Sequence, residues 1–472
     1  MDLKLLKKMI DDLQILEFDN EVTKNAVFAL VETMYQIIVA QAKEIQRLRD
    51  EINRLKGEKG KPDIKGNIKI ETKEKKESME SQSKKEWKKK KKEIKIDREV
   101  VIEIDQDGLP DDAVFKDYRE ITIQNLSITT DNVLYKLEVY YSQSENKSYT
   151  AELDKCLQGT SFGPELKALI VNLYFAGRMT ENLIHDFLTG FNIDISEGQI
   201  SNIIIKEKEE KFTAEKEEIL VTGVECSKGI NIDDSGFREN GINKYINIIC
   251  SILFSVFIVN DNKKGVTVKD MFKGLGIRGK PLICDDAPQW KKILAGILIQ
   301  LCWVHEERHY KKLNPIVKEY REELDIKIGQ IWDYYNGLKA YKENPNEKHK
   351  QLMLDMFEEI FNVTSNYPEL DNRLKLTYAK KDELLLVLDY PEIDIHNNLS
   401  ENGIRTAVIK RKISNGTRTK QGTNAWENHL SILSTCKKLG IRYYDYILEI
   451  FKNEEHKLSL VDAIKQKVAD MA

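Results

Sequence analysis

The stretch Gly229-Ile230-Asn231-Ile232-Asp233-Asp234-Ser235-Gly236 decides how the rest of the chain is interpreted. Apolar residues alternate up to a pair of carboxylates and a glycine then interrupts the pattern, which predicts a strand that ends in acids at the rim of a sheet. A second apolar run, Pro281–Cys284, leads into Asp285-Asp286, and Asn397-Asn398-Leu399-Ser400-Glu401 opens a helical pattern. Two strand-end Asp residues and one helix Glu suit a pair of divalent ions for phosphoryl transfer.

Length and composition set the outer limits. A chain of 472 residues exceeds the usual size of a single core and predicts several domains, and 32% charged and 41% hydrophobic residues are typical of a soluble protein. The longest apolar run, residues 246–259, is too short to span a bilayer, and no signal peptide is evident. Six cysteines without a CxxC pair favour reduced thiols in a cytoplasm and argue against a zinc site.

Charge is segregated along the chain, so the net charge of −4 says little about nucleic-acid binding. The segment 57–96 is rich in Lys, Glu and Ser and is predicted to be a basic disordered linker. Its run from Lys84 to Lys95, with Trp87, is suited to a phosphate backbone and a stacked base, although such a run is more often merely solvated.

The N-terminal segment 1–56 is predicted to be helical with a heptad seam. β-branched residues at a and Leu at d favour a parallel two-stranded coiled coil, and hence a homodimer. The alternative is one long amphipathic helix packed within the same chain. The a positions are Val31, Ile38, Ile45 and Ile52, and the d positions are Met34, Gln41, Leu48 and Leu55.

Two small units precede the region of the acids. Residues 97–155 alternate in a β manner at 100–104, 118–123 and 133–141, which predicts a small antiparallel β unit. Residues 160–222 predict three short helices, begun by Pro164, Thr180 and Ser196, in a helix-turn-helix-like unit. In that unit the residues facing DNA would be Gln199, Asn202 and Lys206. The alternative is an ordinary helical linker packed on the core.

The pattern beyond Ile230 is three strands, a helix, a strand, a helix and a strand, with the last strand at 301–304. This is the order of a ribonuclease-H-like fold, an α/β fold with a mixed sheet flanked by helices. We place this catalytic domain at 223–420, with a helical insertion at about 306–390, and assign 421–472 to C-terminal helices that pack on it.

Three boxes of this sequence resemble those of insertion sequence 66 family transposases, in the same order. They are Asp233-Asp234-Ser235-Gly236-Phe237, Cys302-Trp303-Val304-His305 through Arg308, and Asn397-Asn398-Leu399-Ser400-Glu401 through Arg405. Taken together they are fairly specific. The resemblance implies a ribonuclease-H-like DDE core in which Asp233, Asp285 and Glu401 hold two Mg²⁺ or Mn²⁺ ions.

Each acid has a competing interpretation. Asp233 matches the family Asp and is preferred to Asp234; Asp285 directly follows its apolar run and is preferred to Asp286. Asp at a strand end also commonly accepts backbone N–H bonds in a turn. With Asn398 as N-cap, Glu401 would be the third helical residue, where a Glu completes a capping box.

Basic and auxiliary residues surround Glu401. Arg405, Lys410, Arg411 and Lys412 are predicted to contact DNA phosphate, the alternative being a solvated basic face. The auxiliary candidates are His305, Arg308 and Asn398. His305 would touch the scissile phosphate or hydrogen-bond within the core beneath Trp303.

The resemblance implies a transposase that binds double-stranded DNA at element ends and target, cleaves it and transfers strands with Mg²⁺ or Mn²⁺. We expect a cytoplasmic, nucleoid-associated homodimer, with accessory proteins of the element as further partners and no membrane association. Family members usually carry a Cys-rich zinc segment, but this chain has Leu109-Pro110-Asp111-Asp112-Ala113 there, so no zinc is expected. The alternatives are a domesticated, non-catalytic coiled-coil DNA-binding protein and a plain ribonuclease-H-like nuclease.

Overall fold

The computed structural model describes residues 20–55, 95–104, 114–126, 128–264, 267, 270–277, 279–293, 297–453 and 459–471. The basic run with Trp87, the segment 109–113 and most of the predicted linker lie outside them. The chain divides into two compact units, one drawn from 1–39 and 130–472 and the other from 40–129. The elements are α1 Glu21–Leu55, β1 Val139–Ser142, β2 Lys147–Thr150, α2 Pro164–Phe175, α3 Glu181–Thr189, α4 Glu197–Ile205, α5 Glu209–Cys226, β3 Ile230–Glu239, β4 Ile242–Cys250, β5 Ser255–Asn260, β6 Leu282–Cys284, α6 Pro288–Ile293, β7 Ile299–Leu301, α7 Trp303–Lys311, α8 Lys318–Glu343, α9 Glu347–Phe361, α10 Pro368–Tyr378, α11 Lys381–Leu384, a 3₁₀ turn Leu386–Leu388, α12 Asn398–Ser414, α13 Lys420–Leu439, α14 Tyr443–Lys452 and α15 Leu460–Ala469.

A five-stranded mixed sheet in the order β5-β4-β3-β6-β7 forms the centre of the larger unit. β3, β4 and β5 are antiparallel neighbours, whereas β6 and β7 run parallel to β3. Helices flank this sheet, which confirms the predicted α/β architecture.

Two strand predictions near the acids are wrong. β3 does not end at Asp233 but continues to Glu239, with Gly236 inside the strand, because β4 pairs with it from Asn231 to Glu239. β7 ends at Leu301, and Trp303 begins α7 instead of lying in a strand. His305 and Arg308 therefore lie on a helix, where residues three apart share a face.

Helix α13 covers the outer edge of β5. The backbone N–H groups of Ser255, Phe257 and Val259 donate to Thr435 Oγ1 at 3.1 Å, Ser431 Oγ at 2.9 Å and Glu427 Oε1 at 2.9 Å. Four residues of helix rise about 6 Å and two residues of strand about 6.6 Å, so the two spacings match. A sheet edge that would otherwise invite pairing is thereby satisfied by side chains.

The part of α1 that belongs to the larger unit packs within its own chain. Phe28 and Tyr35 are buried, and the buried Glu32 carboxylate accepts from the backbone N–H groups of Ile316 and Val317 at the start of α8. The intramolecular alternative therefore describes this half of the helix. In the part that belongs to the smaller unit, the heptad residues Ile45, Leu48 and Ile52 are about half exposed.

The small β unit is reduced to one hairpin. Val139–Ser142 pairs with Lys147–Thr150, but residues 100–104 and 118–123, all described, form no strand. Their alternating side chains are exposed, and a strand without a neighbour to pair with is not stable. The predicted three-run β unit is wrong for these residues.

Among the described helices, no apolar segment has the length that a bilayer crossing requires.

Candidate functional site

The first two acids come together where β6 stops. β6 pairs in parallel with β3 only at Ile230↔Leu282 and Asn231↔Ile283. Continuing that register by two residues brings Asp233 level with Asp285. Beyond this point β6 no longer covers β3, and the start of α12 takes its place.

A buried amide holds α12 against β3. Asn397 Nδ2 donates to the carbonyl of Ile232 at 2.8 Å, and Asn397 Oδ1 accepts from Ser400 Oγ at 2.6 Å and Asn231 Nδ2 at 3.3 Å. Asn397 is the N-cap residue of α12, but its side chain bonds to β3 and does not cap a backbone N–H group of the helix. The capping-box interpretation is wrong: Asn398 is the exposed first helical residue, and Glu401 lies one position beyond the capping-box place.

Glycines allow α12 to approach the sheet closely. A Cβ on Gly403 would lie 2.4 Å from Ile248 Cδ1, and Ile248 is the β4 partner of Asp233. A Cβ on Gly236 would lie 3.3 Å from Arg411 Nη1. Gly236 therefore marks a close approach inside β3 and not the end of the strand.

The electrostatics single out one acid. Burial, reinforced by the charges of Asp285, Asp234 and Glu401, raises the pKa of Asp233 from its ordinary value near 3.8 to about 7. The only hydrogen bond given to its carboxylate in the described chain comes from the backbone N–H of Asp234, at 2.8 Å. Neighbouring like charges oppose each other's ionisation unless a cation lies between them.

The neighbouring acids are occupied by protein groups. Asp234 is bound by the Lys263 ammonium and accepts from Gln289 Nε2 at 2.8 Å, and Asp286 is bound by the Lys380 ammonium. Asp285 Oδ1 accepts from Trp290 Nε1 at 2.8 Å, which fixes that carboxylate without neutralising it. These contacts support the choice of Asp233 and Asp285 over their neighbours.

Glu401 faces α7. Its Oε1 lies 3.6 Å from His305 Nδ1, and its Oε2 lies 3.8 Å from Arg308 Nη2. Both Oε1 and Nδ1 are buried, yet neither makes a hydrogen bond within the described chain. His305 therefore faces an acid, which neither of its predicted roles included. Carboxylate oxygens are the ligands that Mg²⁺ and Mn²⁺ prefer, so the chemistry of the three acids suits such an ion. Among the described residues, one oxygen from each of the three acids does not come within 4.8 Å of the other two, so the acids have to draw closer to share one ion.

Cys302 is a residue that the sequence interpretation passed over. It precedes α7, and its buried Sγ accepts from the backbone N–H of Asn397 at 3.2 Å. Burial, above all, raises the pKa of its thiol. One ligand atom each from Cys302, His305 and Glu401 lie within 4.8 Å of one another. The Cys-x-x-His spacing at a helix start was the signal that could have revealed this pair.

One predicted DNA contact is wrong. Lys410 is fully buried, its Nζ donates to the carbonyl of Met179 at 2.8 Å and it lies 3.4 Å above the ring centre of Tyr174. Burial lowers its pKa to about 7, so it ties α12 to the loop before α3 and does not reach phosphate. Arg405, Lys412 and Lys206 are exposed, whereas Arg411, Gln199 and Asn202 are half-buried.

The three helices of the helix-turn-helix-like unit begin as predicted. Pro164 opens α2, the Thr180 hydroxyl accepts from the N–H of Leu183, and the Ser196 hydroxyl accepts from the N–H of Gln199. α2 also packs against α14, and α4 against α13. The unit thus rests on the core, so DNA contact by α4 stays a prediction.

Comparison with known proteins gives one family and two relatives. The model of the IS66 family of transposases matches residues 159–425. An uncharacterized protein of Sinorhizobium fredii, y4jO, is 37% identical over 166 residues, which are 35% of this chain and 50% of that protein. A second one, y4qI, is 24% identical over 155 residues, 31% of this chain and 29% of that protein. The chain thus spans half or less of these relatives. No solved structure matches it.

Proposed function

The chain belongs to the IS66 transposase family, and from this premise we propose that it cleaves DNA at the ends of its element and joins the freed strand to target DNA. The sheet order and strand directions support a ribonuclease-H-like core. The observation that carries the proposal is the pKa of Asp233, which burial and the charges of Asp285, Asp234 and Glu401 raise to about 7.

In this proposal Asp233, Asp285 and Glu401 hold Mg²⁺ or Mn²⁺. Such ions, when bound, polarise the scissile phosphate and lower the pKa of a bound water. The protein contributes the positions of its carboxylates. Asn397 fixes the helix that carries Glu401, Trp290 fixes Asp285, and the glycine at 403 lets the helix approach Asp233. Because catalysis of this kind is mostly charge placement, each carboxylate is nearly indispensable.

DNA is held, in this proposal, by exposed basic residues around the acids. Arg405 lies one turn beyond Glu401 on α12, and Lys412 lies two turns further on. Arg308 is half exposed and close to Glu401. Gln199, Asn202 and Lys206 remain the proposed contacts of the helix-turn-helix-like unit. The exposed heptad residues of α1 support a homodimer, with accessory proteins of the element as further partners.

An Mg²⁺-dependent nicking and strand-transfer assay on DNA carrying the element's own ends tests the proposal. Asp233→Asn, Asp285→Asn and Glu401→Gln should each abolish cleavage, with DNA binding retained in a mobility-shift assay. Asp234→Asn and Asp286→Asn are matched controls, because each replaces an adjacent acid that a lysine already neutralises. They should remain within about tenfold of the wild type.

The outcomes separate the alternatives. End binding without cleavage by the wild type would indicate a domesticated DNA-binding protein. Cleavage without preference for the element's ends and without strand transfer would indicate a plain nuclease. Full strand transfer by Asp233→Asn would contradict the proposed site.

A further inference from the structure

We propose that Cys302, His305 and Glu401 form a zinc-binding site, and that Zn²⁺ held there withdraws Glu401 from the acid cluster. The inhibitory half of this proposal rests on the proposed function; the binding half does not. The three residues offer sulfur, nitrogen and oxygen within 4.8 Å of one another. Thiolate and imidazole favour Zn²⁺, whereas the oxygen ligands of the three-acid cluster favour Mg²⁺.

The geometry requires only a small adjustment. Zinc bonds of about 2.0–2.3 Å place tetrahedral ligand atoms roughly 3–4 Å apart, so groups within 4.8 Å of one another need to contract by about 2 Å at most. Glu401 Oε1 and His305 Nδ1 already face each other at 3.6 Å, and both are buried without a hydrogen bond in the described chain. A shared ion satisfies both atoms at once, where a hydrogen bond at this distance satisfies neither.

The surrounding residues hold these ligands in place. The N–H of Asn397 donates to Cys302 Sγ at 3.2 Å, which is the kind of outer contact that orients a metal-bound thiolate. Cys302 is the N-cap residue of α7 and His305 lies in the first turn of that helix, so the start of α7 fixes the positions of both ligands. Arg308 Nη1 lies 3.2 Å from His305 Nε2. Zinc at Nδ1 puts the imidazole proton on Nε2, and the half-exposed Arg308 then turns away.

Three protein ligands leave a fourth zinc position open, as in zinc sites that take a water or a substrate oxygen. Zinc bound by Oε1 draws the Glu401 carboxylate toward Cys302 and His305, and the negative charge of that carboxylate is then largely neutralised by zinc. Zinc at this site therefore competes with the acid cluster for Glu401. Transposition would then be lowest when zinc is abundant and highest when Mg²⁺ is the only available divalent ion.

Binding is tested on the full chain, reduced and stripped of metal, without DNA. Co²⁺ serves as the probe, since a cobalt–thiolate bond gives a charge-transfer absorption band, and Zn²⁺ should displace it stoichiometrically. Cys302→Ser should remove the band and weaken Zn²⁺ binding about 100-fold or more, and His305→Ala should weaken it similarly. Cys226→Ser, a half-buried thiol elsewhere, should behave as the wild type. Circular dichroism and thermal melting of each variant exclude misfolding.

Inhibition is tested separately, in the Mg²⁺-dependent nicking assay. Zn²⁺ should inhibit the wild type and Cys226→Ser, and the concentration for half inhibition should rise at least tenfold in Cys302→Ser. A cobalt band of equal strength and affinity in Cys302→Ser would overturn the proposal. Equal zinc inhibition of the wild type and Cys302→Ser would overturn the inhibitory half of the proposal. If no protein nicks DNA while the cobalt band behaves as expected, the proposed function fails and the zinc site stands.

Discussion

Two helices, α12 and α13, pack along strand edges that no neighbouring strand covers, and they differ in whether their buried polar atoms form hydrogen bonds. α13 supplies Glu427, Ser431 and Thr435 to the N–H groups of β5, so those buried polar groups are paired. α12 replaces β6 alongside β3 and brings Glu401 there with a buried oxygen that accepts no hydrogen bond from the described residues. A buried polar atom without a partner costs about 1–3 kcal/mol. The first contact serves stability, and the second retains an unfavourable arrangement that a ligand can relieve.

Truncating one glutamate on each helix tests the contrast between α12 and α13 most strongly. Glu401→Ala should reduce nicking by about 10³-fold or more, because it removes a ligand of the reacting centre, while thermal stability is kept or increased. Glu427→Ala should destabilise the protein by about 3–5 kcal/mol, because it removes the carboxylate that accepts hydrogen bonds from Lys216 Nζ and from the N–H of Val259. Denaturant unfolding and single-turnover nicking measure the two effects.

The control for this pair is internal, since each variant serves as the control for the other. The folded fraction of Glu427→Ala should nick DNA at close to the wild-type rate. A loss of stability in Glu401→Ala as large as that in Glu427→Ala would show that both contacts are structural, and the contrast would be refuted.

The closeness of α12 to the sheet gives a second test. Gly403→Ala places a methyl group against the buried Ile248 side chain, so Ile248 or the helix must shift. We expect the helix to move outward and carry Glu401 away from Asp233, because Ile248 has little room to change its rotamer in the core. A displacement of this kind should reduce nicking about 10- to 100-fold and destabilise the protein by about 1–3 kcal/mol. Ile248→Val removes the clashing Cδ1, and the double variant should recover most of the activity. Failure of that rescue, with both variants folded, would contradict the geometric explanation.

The sequence offered two kinds of signal for the candidate acids. Alternation drew attention to Asp233 and Asp285 after apolar runs, whereas the choice of Glu401 depended on its resemblance to a family box, and the joint role of the three acids stays a prediction. The extension of β3 through Gly236 was not predictable, since only the approach of Arg411 from α12 explains a glycine there. The prediction that Lys410 contacts DNA failed for the same reason. A lysine beside two other basic residues is expected to be exposed, and only the packing of Tyr174 and Met179 around it shows that it is buried.

The edge of β5 provides a smaller effect. Thr435→Val keeps the shape of the side chain but removes the acceptor of the Ser255 N–H and the donor to the Ser255 carbonyl. We expect a loss of about 1–3 kcal/mol in the free energy of unfolding, with nicking unchanged. Gln421→Ala, an exposed position on the same helix, should change stability by less than about 0.5 kcal/mol. Equal effects at the two positions would remove the reason for calling the β5 edge stabilising.

A further effect is a dependence of stability on pH in the metal-free protein. The pKa of Asp233 is about 7 in the folded chain against an ordinary value near 3.8, so between these values the folded state holds a proton that the unfolded chain has lost. Raising the pH through this window therefore removes stability, and the loss is complete above pH 7.

Asp233→Asn cannot lose that proton. Its melting temperature should gain on that of the wild type as the pH rises from 4 to 7 and keep a constant lead above it. Mg²⁺ at pH 8 should close the gap by stabilising the wild type selectively, because the ion replaces the proton between the acids. Parallel curves with and without Mg²⁺ would show that Asp233 ionises freely, and the charge conflict that distinguishes the α12 contact from the α13 contact would be absent.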